Sequence, residues 1–143
     1  MSKPVTPLLV VDIIIEVDGG IVTIERVNFP QGRALPGGCV DVGETCEHAA
    51  IREAEEETGL KIEQVRMLGI YDDPNRDPRG HAVSVAYICT AEGTPVGADD
   101  ATNAEVESAE EVANQNLCFD HNQIVLDYLM FQATGQRPTR EQC

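Results

Sequence analysis

The stretch GCVDVGETCEHAAIREAEEETGL, which runs from Gly38 to Leu60, decides how this chain folds. Thr45 is a suitable helix N-cap, no glycine or proline interrupts residues 46–58, and Gly59 supplies a helix stop. We therefore predict a helix over Cys46 to Thr58, preceded by a loop over residues 28–38 that is rich in glycine and proline. By helical spacing, one side of this helix carries Ala50, Ile51, Ala54 and Thr58.

Three glutamates lie together on the neighbouring side of the predicted helix. Glu53, Glu56 and Glu57 follow the spacing i, i+3 and i+4, which places their carboxylates within one helical turn. Carboxylates at this spacing repel one another unless a cation lies between them. Mg²⁺, with Mn²⁺ as a substitute, prefers oxygen ligands and bridges to substrate phosphates. The pattern therefore predicts a divalent-metal site for a pyrophosphate, with a solvated acidic helix face as the alternative.

Four further residues of the stretch support this site. Gly37 and Gly38 lack a Cβ, so their backbone can come close to a substrate or a metal. Arg52 lies among the acids and is predicted to order them, with Glu44 as its ion-pair partner. We expect Glu44 and Arg52 to be structural and the two glycines to contact the ligand.

Gly38, Glu44 and the segment from Arg52 to Leu60 resemble the Nudix box, G-x5-E-x7-R-E-U-x-E-E-x-G-U, in every fixed position. The resemblance implies an α/β/α sandwich with a mixed β-sheet. It also implies Mg²⁺- or Mn²⁺-dependent hydrolysis of a nucleoside diphosphate linked to another moiety. Glu53, Glu56 and Glu57 would be the metal ligands, with Gly38 beside the metal.

The segment from Asp72 to Val85 is similar to ADP-ribose pyrophosphatases of an archaeal and bacterial type, as are Asp99-Asp100-Ala101 and Phe119-Asp120-His121. Pro74 lies close to the point beyond the box where such enzymes often carry a proline. The resemblance implies cleavage of ADP-ribose to AMP and ribose 5-phosphate. Two alternatives stay open: a housecleaning pyrophosphatase for (d)NTPs or 8-oxo-dGTP, and a non-catalytic nucleotide-sensing module.

Several residues outside the box are candidates for substrate binding or catalysis. Arg76 and Arg79 either bind substrate phosphate or pair with the aspartates of their own loop. Phe119 either touches the nucleoside or packs at the start of the last helix. Glu105 is a candidate general base, because Asn103 stands where similar sequences carry an acid.

The rest of the chain predicts one α/β domain over residues 1–143. A β-hairpin is expected first, and residues from about 134 onward are expected to fray. The predicted strands cover residues 8–17, 21–27, 61–71, 81–90 and 104–107, and the predicted closing helix covers residues 119–132.

Composition limits the partners of this chain. Its formal net charge of -15 disfavours nucleic acid and anionic membranes, and leaves a small-molecule nucleotide as the expected partner. The five cysteines are scattered without metal-like spacing, so we interpret them as reduced thiols. No signal peptide or membrane span is evident at the N-terminus, which favours a cytoplasmic protein. The sequence leaves open whether the protein is a monomer or a homodimer.

Overall fold

The computed structural model describes residues 3–96 and 101–139. A mixed sheet lies between one helix on one face and two helices on the other, which confirms the predicted sandwich. The strands are β1 (Leu8–Val17), β2 (Gly20–Arg26), β3 (Gly32–Ala34), β4 (Gly37–Cys39), β5 (Glu63–Tyr71), β6 (Ala82–Thr90) and β7 (Ala101–Glu107). The helices are α1 (Cys46–Thr58), α2 (Ala109–Ala113) and α3 (His121–Thr134).

Strand β1 lies at the centre of the sheet because it is apolar on both faces. Val11, Ile13 and Ile15 pack towards α1, whereas Ile14 packs into the core beneath α2 and α3. This alternation follows from the two-residue period of a strand. Asp12 is the charged exception, and it is almost completely buried.

The neighbours of β1 change along its length. Its whole length pairs in parallel with β6, from Leu8 opposite Ala82 to Glu16 opposite Thr90. On its other edge, the last residues pair with β2 and residues 10–12 pair with β4. The sheet therefore divides beside Asp12, which faces Gly37 across the β1–β4 pair.

Helix α1 begins and ends at the predicted residues. The Thr45 side chain accepts a hydrogen bond from His48 N at 3.1 Å, and Gly59 ends the helix in a left-handed conformation with φ of 73°. Ala50, Ala54 and Thr58 are buried, together with Ala49. Ile51, which the spacing places on the same side, is 38 % exposed.

The chain after α1 completes the second layer. Helix α3 begins two residues later than predicted, at His121, because Phe119 takes a positive φ of 56° and interrupts the helical backbone. The described part of the tail that we expected to fray contacts β5, since Arg137 Nε donates to the Met67 carbonyl at 2.8 Å. No helix in the described residues is long and apolar enough to cross a membrane.

The cysteines in the described residues carry free thiols, as the scattered spacing predicted: Cys39, Cys46, Cys89 and Cys118. Cys143 lies outside the described residues, as do Asp99 and Asp100 of the segment that resembles ADP-ribose pyrophosphatases. The similarity noted for that segment stays a prediction from sequence.

Candidate active site

Arg52 organises the acids at the N-terminal end of the site. Its guanidinium binds Glu44 in a two-point contact, with Nε–Oε2 and Nη2–Oε1 distances of 2.8 and 2.9 Å. Nη2 also donates to the Cys39 carbonyl at 2.9 Å, which fixes the start of the box loop to α1. The pKa of Glu44 lies well below its usual range, chiefly because Arg52 donates to its carboxylate. The predicted Glu44–Arg52 pair is therefore present.

Arg52 also contacts two of the predicted metal ligands. Nη1 lies 2.8 Å from Glu53 Oε1 and 3.3 Å from Glu56 Oε2. In the part of the chain that the structure describes, no three acidic, histidine or cysteine side chains converge into a ready cation site. A cation held by Glu53 and Glu56 would therefore take over carboxylate oxygens that Arg52 now contacts.

Glu57 gives the clearest sign that a cation fits here. Its Oε2 atom is buried and has no hydrogen-bond partner within the described residues. Burial, together with the adjoining Glu53 carboxylate, raises the pKa of Glu57 to about 9. A buried, unsatisfied carboxylate oxygen beside a second carboxylate is a suitable oxygen donor set for a hard divalent cation.

Gly37 and Gly38 bring β4 against these acids without any intervening side chain. A Cβ on Gly38 would lie 2.4 Å from the Glu53 carboxyl carbon, and one on Gly37 would lie 2.2 Å from the Val11 carbonyl oxygen. Gly37 has no room for alanine because it meets backbone, whereas alanine at Gly38 would require the Glu53 carboxylate to move. The two glycines therefore place backbone directly between the acids of α1 and Asp12.

Asp12 lies at the centre of a buried polar network that the sequence did not reveal. Ser84 Oγ donates to its Oδ2 at 2.6 Å, and Arg76 Nη2 lies 3.2 Å from the same oxygen. His121 accepts from Leu35 N at Nδ1, so its proton is on Nε2, 3.1 Å from Asp12 Oδ1. Within the described residues this Nε2 atom makes no regular hydrogen bond, although it lies beside the Asp12 carboxylate.

The network keeps Asp12 ionised despite its burial. Burial by itself would raise the pKa of Asp12, but His121, Arg76 and Ser84 outweigh it and lower the pKa to about 2. Partners from three distant parts of the chain are needed for this. Local sequence patterns therefore gave no signal for the network.

The two arginines of the loop after β5 have different environments. Arg76 is buried and binds Asp120 through Nε and Nη2, the closest contact being 2.7 Å, in addition to Asp12. Arg79 is about half exposed and pairs with Asp77 at 2.9 Å. Both side chains line the cleft, and both are paired with acids. Arg79 therefore pairs with an aspartate of its own loop, whereas Arg76 pairs with acids outside it.

Phe119 lies in this cleft, surrounded by three guanidinium groups. The Cζ atoms of Arg26, Arg79 and Arg76 lie 5.0, 5.5 and 6.0 Å from its ring centroid. Arg26, the last residue of β2, was absent from the residues predicted for the site. Its position depends on strand pairing and carries no local motif.

Glu105 lies on β7 opposite Thr23 of β2. Ala104 and Val106 pack into the core beneath α1, so the intervening Glu105 points to the opposite face of the strand. Its carboxylate lies 3.5 Å from Arg33 Nη2, and the Asn103 carbonyl accepts from the same arginine. The structure thus does not bring Glu105 into contact with the acids of α1, and its role as a base stays a prediction.

The cleft has a narrow inner part and a wide outer part. The inner part, about 50 Å³, runs from Gly37 and Gly38 past Asp12 and Arg79 to Phe119. The outer part, about 840 Å³, shares Asp77 and Arg79 and opens between the start of β1 and the box loop. The inner part that the glycines line thus adjoins, at Asp77 and Arg79, an outer part large enough for a small organic ligand.

Residues 6–128 match the family described as the NUDIX domain. Over 129 residues, the chain is 44 % identical to an ADP-ribose pyrophosphatase from Methanocaldococcus jannaschii, covering 88 % of this chain and 75 % of that protein. It is also 33 % identical to the ADPR responsive transcriptional repressor NtrR from Acinetobacter baylyi, of which it spans only 52 %.

The fold is similar to that of the NUDIX domain of Shewanella oneidensis NrtR, solved in complex with ADP ribose. The TM-score is 0.80 with 24 % identity, and the match covers 89 % of each chain. At this identity the likeness concerns the fold alone.

Proposed function

Because this chain belongs to the NUDIX family, we propose that it is a metal-dependent pyrophosphohydrolase that cleaves ADP-ribose to AMP and ribose 5-phosphate. The observation that carries the proposal is the position of Glu53 against Gly38 and of Glu57 against Gly37, because these two glycines line a cleft that arginines and Phe119 also line. The identity to an archaeal ADP-ribose pyrophosphatase over most of both chains supports this substrate.

The acids of α1 would hold the cation, with Glu53, Glu56 and Glu57 as ligands and the Gly38 backbone beside them. When bound, Mg²⁺ or Mn²⁺ neutralises phosphate oxygens and helps to activate water. Water attacks one phosphorus of the pyrophosphate, and the bond from that phosphorus to the bridging oxygen breaks. Arg52 keeps the acids in register through Glu44, so its role is positioning.

Several chain residues would bind the two halves of the substrate. Gly37 and Gly38 admit the pyrophosphate close to the backbone, and Arg79, half exposed at the junction of the inner and outer cleft, would contact phosphate oxygens. Arg76 is buried under two carboxylates and would hold Asp12 and Asp120 in place. Phe119 would support the adenine, and Glu105 would act as base only after leaving Arg33.

Product analysis tests the substrate. Purified protein with Mg²⁺, and separately with Mn²⁺, should release AMP and ribose 5-phosphate from ADP-ribose, with slower turnover of dNTPs and 8-oxo-dGTP. If no AMP formed from ADP-ribose while the triphosphates gave monophosphates, the housecleaning alternative would replace this proposal.

Charge removal tests the metal ligands. We expect Glu56→Gln and Glu57→Gln to lower kcat by about 100-fold or more, since even outer-sphere changes at metal sites commonly cost 10- to 100-fold. Glu55→Gln is the matched control, because Glu55 lies on the same helix but is exposed and makes no contact with Arg52. Near-normal kcat in both ligand variants would contradict the assignment.

A nucleotide sensor is the second candidate function. It is favoured by the 33 % identity to a repressor described as ADPR responsive, which extends over 84 % of this chain. Tight binding of ADP-ribose without hydrolysis of it or of any other nucleotide in a broad panel would favour the sensor over both enzymatic functions.

The proposed setting is the cytoplasm, where the free thiols of Cys39, Cys46, Cys89 and Cys118 would stay reduced. The proposed partner is the small-molecule nucleotide. Sedimentation would decide between a monomer and a homodimer.

A further inference from the structure

Arg26 differs from the other arginines of the cleft in its charge environment. Arg76 is paired with Asp12 and Asp120, and Arg79 is paired with Asp77. Within residues 3–96 and 101–139, Arg26 makes no ion pair, and its side chain donates one hydrogen bond, from Nε to the Pro30 carbonyl at 2.8 Å. It is therefore the cleft cation whose charge no carboxylate offsets.

Strand pairing fixes the backbone of Arg26, whereas the two Nη groups of its guanidinium have no acceptor in the described part of the chain. Arg26 ends β2, where it pairs with Gly32 of β3 on one side and with Ala101 of β7 on the other. The Nε–Pro30 contact fixes the approach of the side chain, which lines the inner cleft, and both Nη groups have no hydrogen-bond acceptor among the described residues. Such a fork matches the oxygen geometry of a phosphate.

The neighbouring aromatic ring supplies a second ligand-binding surface. Among the aromatic residues of the described chain, Phe119 is the one that lines the inner cleft, and Arg26 lies closest to it of the three arginines. An arginine beside an exposed aromatic face suits a nucleoside phosphate, whose base can stack while its anion pairs. In a protein of net charge -15, an unpaired cation beside the ring also lowers the local repulsion of an anion.

We propose that Arg26 is a specificity-determining residue that binds a phosphate of the nucleotide half of the substrate while Phe119 carries the base. This rests on the proposed function for its substrate. The contact is made in the ground state as well as during the reaction, so its loss should act on binding more than on turnover.

The test measures binding of two probes, AMP and adenosine, by calorimetry in EDTA. The wild-type protein should bind AMP more tightly than adenosine. In Arg26→Gln, AMP affinity should fall about tenfold or more, as expected for a charge-assisted contact, while adenosine affinity changes less than about twofold. Arg26→Lys should keep part of the preference for AMP, because it retains the charge without the fork.

Arg66→Gln is the matched control. Arg66 also stacks on a phenylalanine, with its Cζ 5.7 Å from the Phe131 centroid, but it does not line the cleft. This variant should bind both probes as the wild type does. With ADP-ribose and Mg²⁺, Arg26→Gln should raise KM about tenfold and change kcat less than about threefold.

Three results would overturn the inference: unchanged AMP affinity in Arg26→Gln, an equal loss for AMP and adenosine, or no wild-type preference for AMP. If Arg26→Gln fails to fold by circular dichroism, the AMP-to-adenosine ratio of Arg26→Lys decides, and an unaltered ratio overturns the inference. The binding measurement requires neither metal nor turnover. Suppose that the wild type prefers AMP, that Arg26→Gln loses this preference, and that the wild type does not hydrolyse ADP-ribose. That outcome would contradict the proposed function alone.

Discussion

Glu57 is a buried carboxyl group beside a second carboxylate, and both circumstances disfavour its ionised form. Its usual pKa is 4.5, and burial beside Glu53 raises it to about 9 in the absence of metal. The folded protein therefore holds a proton there that the unfolded chain releases above about pH 4.5. As pH rises from that value towards 9, this residue progressively destabilises the metal-free fold.

We predict that Mg²⁺ stabilises the protein more at pH 8.5 than at pH 6. A metal ligand must lose its proton, so the cation competes with the proton held by Glu57 and binds better as pH rises. The measurement is Tm with saturating Mg²⁺ and with EDTA at both pH values.

Glu57→Gln should remove most of the Mg²⁺-dependent gain and make the metal-free Tm less sensitive to pH in this range. Glu55→Gln, on the exposed side of the same helix, should behave as the wild type. Equal gains from Mg²⁺ at both pH values in the wild type would show that Glu57 does not exchange its proton for the cation.

Among the secondary-structure elements, α1 shows how far local sequence determines this fold. Thr45 and Gly59 act within a few residues, so the bounds of α1 were predictable. The exposure of Ile51 was not predictable from its apolar character. The α1 residues that pack against the sheet are mostly alanines, because the helix lies close to the strands. The smaller side chain of Ala49 occupies the buried position instead.

The candidate site was predictable only where one segment carries it. The box acids, Arg52 and the two glycines lie within one stretch, and spacing alone relates them. Asp12 meets Ser84 and His121 only after β1, β6 and α3 have assembled, and Arg26 meets Phe119 only across two elements. These contacts depend on tertiary packing, which a local pattern does not encode.

We predict that Arg76→Gln lowers the free energy of unfolding by about 3–5 kcal/mol, because it leaves the buried Asp12 and the partly buried Asp120 without their shared cation. Urea unfolding would measure the change, provided that the m value is the same for the variant and the wild type.

Arg79→Gln is the comparison from the same loop. The Arg79 side chain is 47 % exposed against 3 % for Arg76, so its pair with Asp77 should contribute at most about 1 kcal/mol. Equal losses in the two variants would mean that the buried network does not tie the loop and α3 to β1.

For the whole molecule, the net charge of -15 sets the response to salt. Like charges repel across the folded surface, and added ions shorten the range of that repulsion from about 10 Å at 0.1 M to about 3 Å at 1 M. We predict that NaCl raises the metal-free Tm at pH 7, with most of the gain below about 0.5 M.

The control uses the same protein near its isoelectric point. At a pH close to the sequence pI of 4.3, the net charge is near zero and the gain from NaCl should largely vanish. An equal gain at both pH values would assign the effect to ion exclusion from apolar surface rather than to self-repulsion.

The parallel pairing of β1 with β6 also has a consequence for how the chain is made. Leu8 faces Ala82 and Glu16 faces Thr90. The central strand β1 therefore pairs with a strand, β6, that is synthesised much later. Closing such a long loop is slow, and chains dominated by distant contacts fold in milliseconds to seconds. Until β6 is synthesised, the apolar strand β1 therefore has only β2 and β4 as partners, and its other edge is open to aggregation.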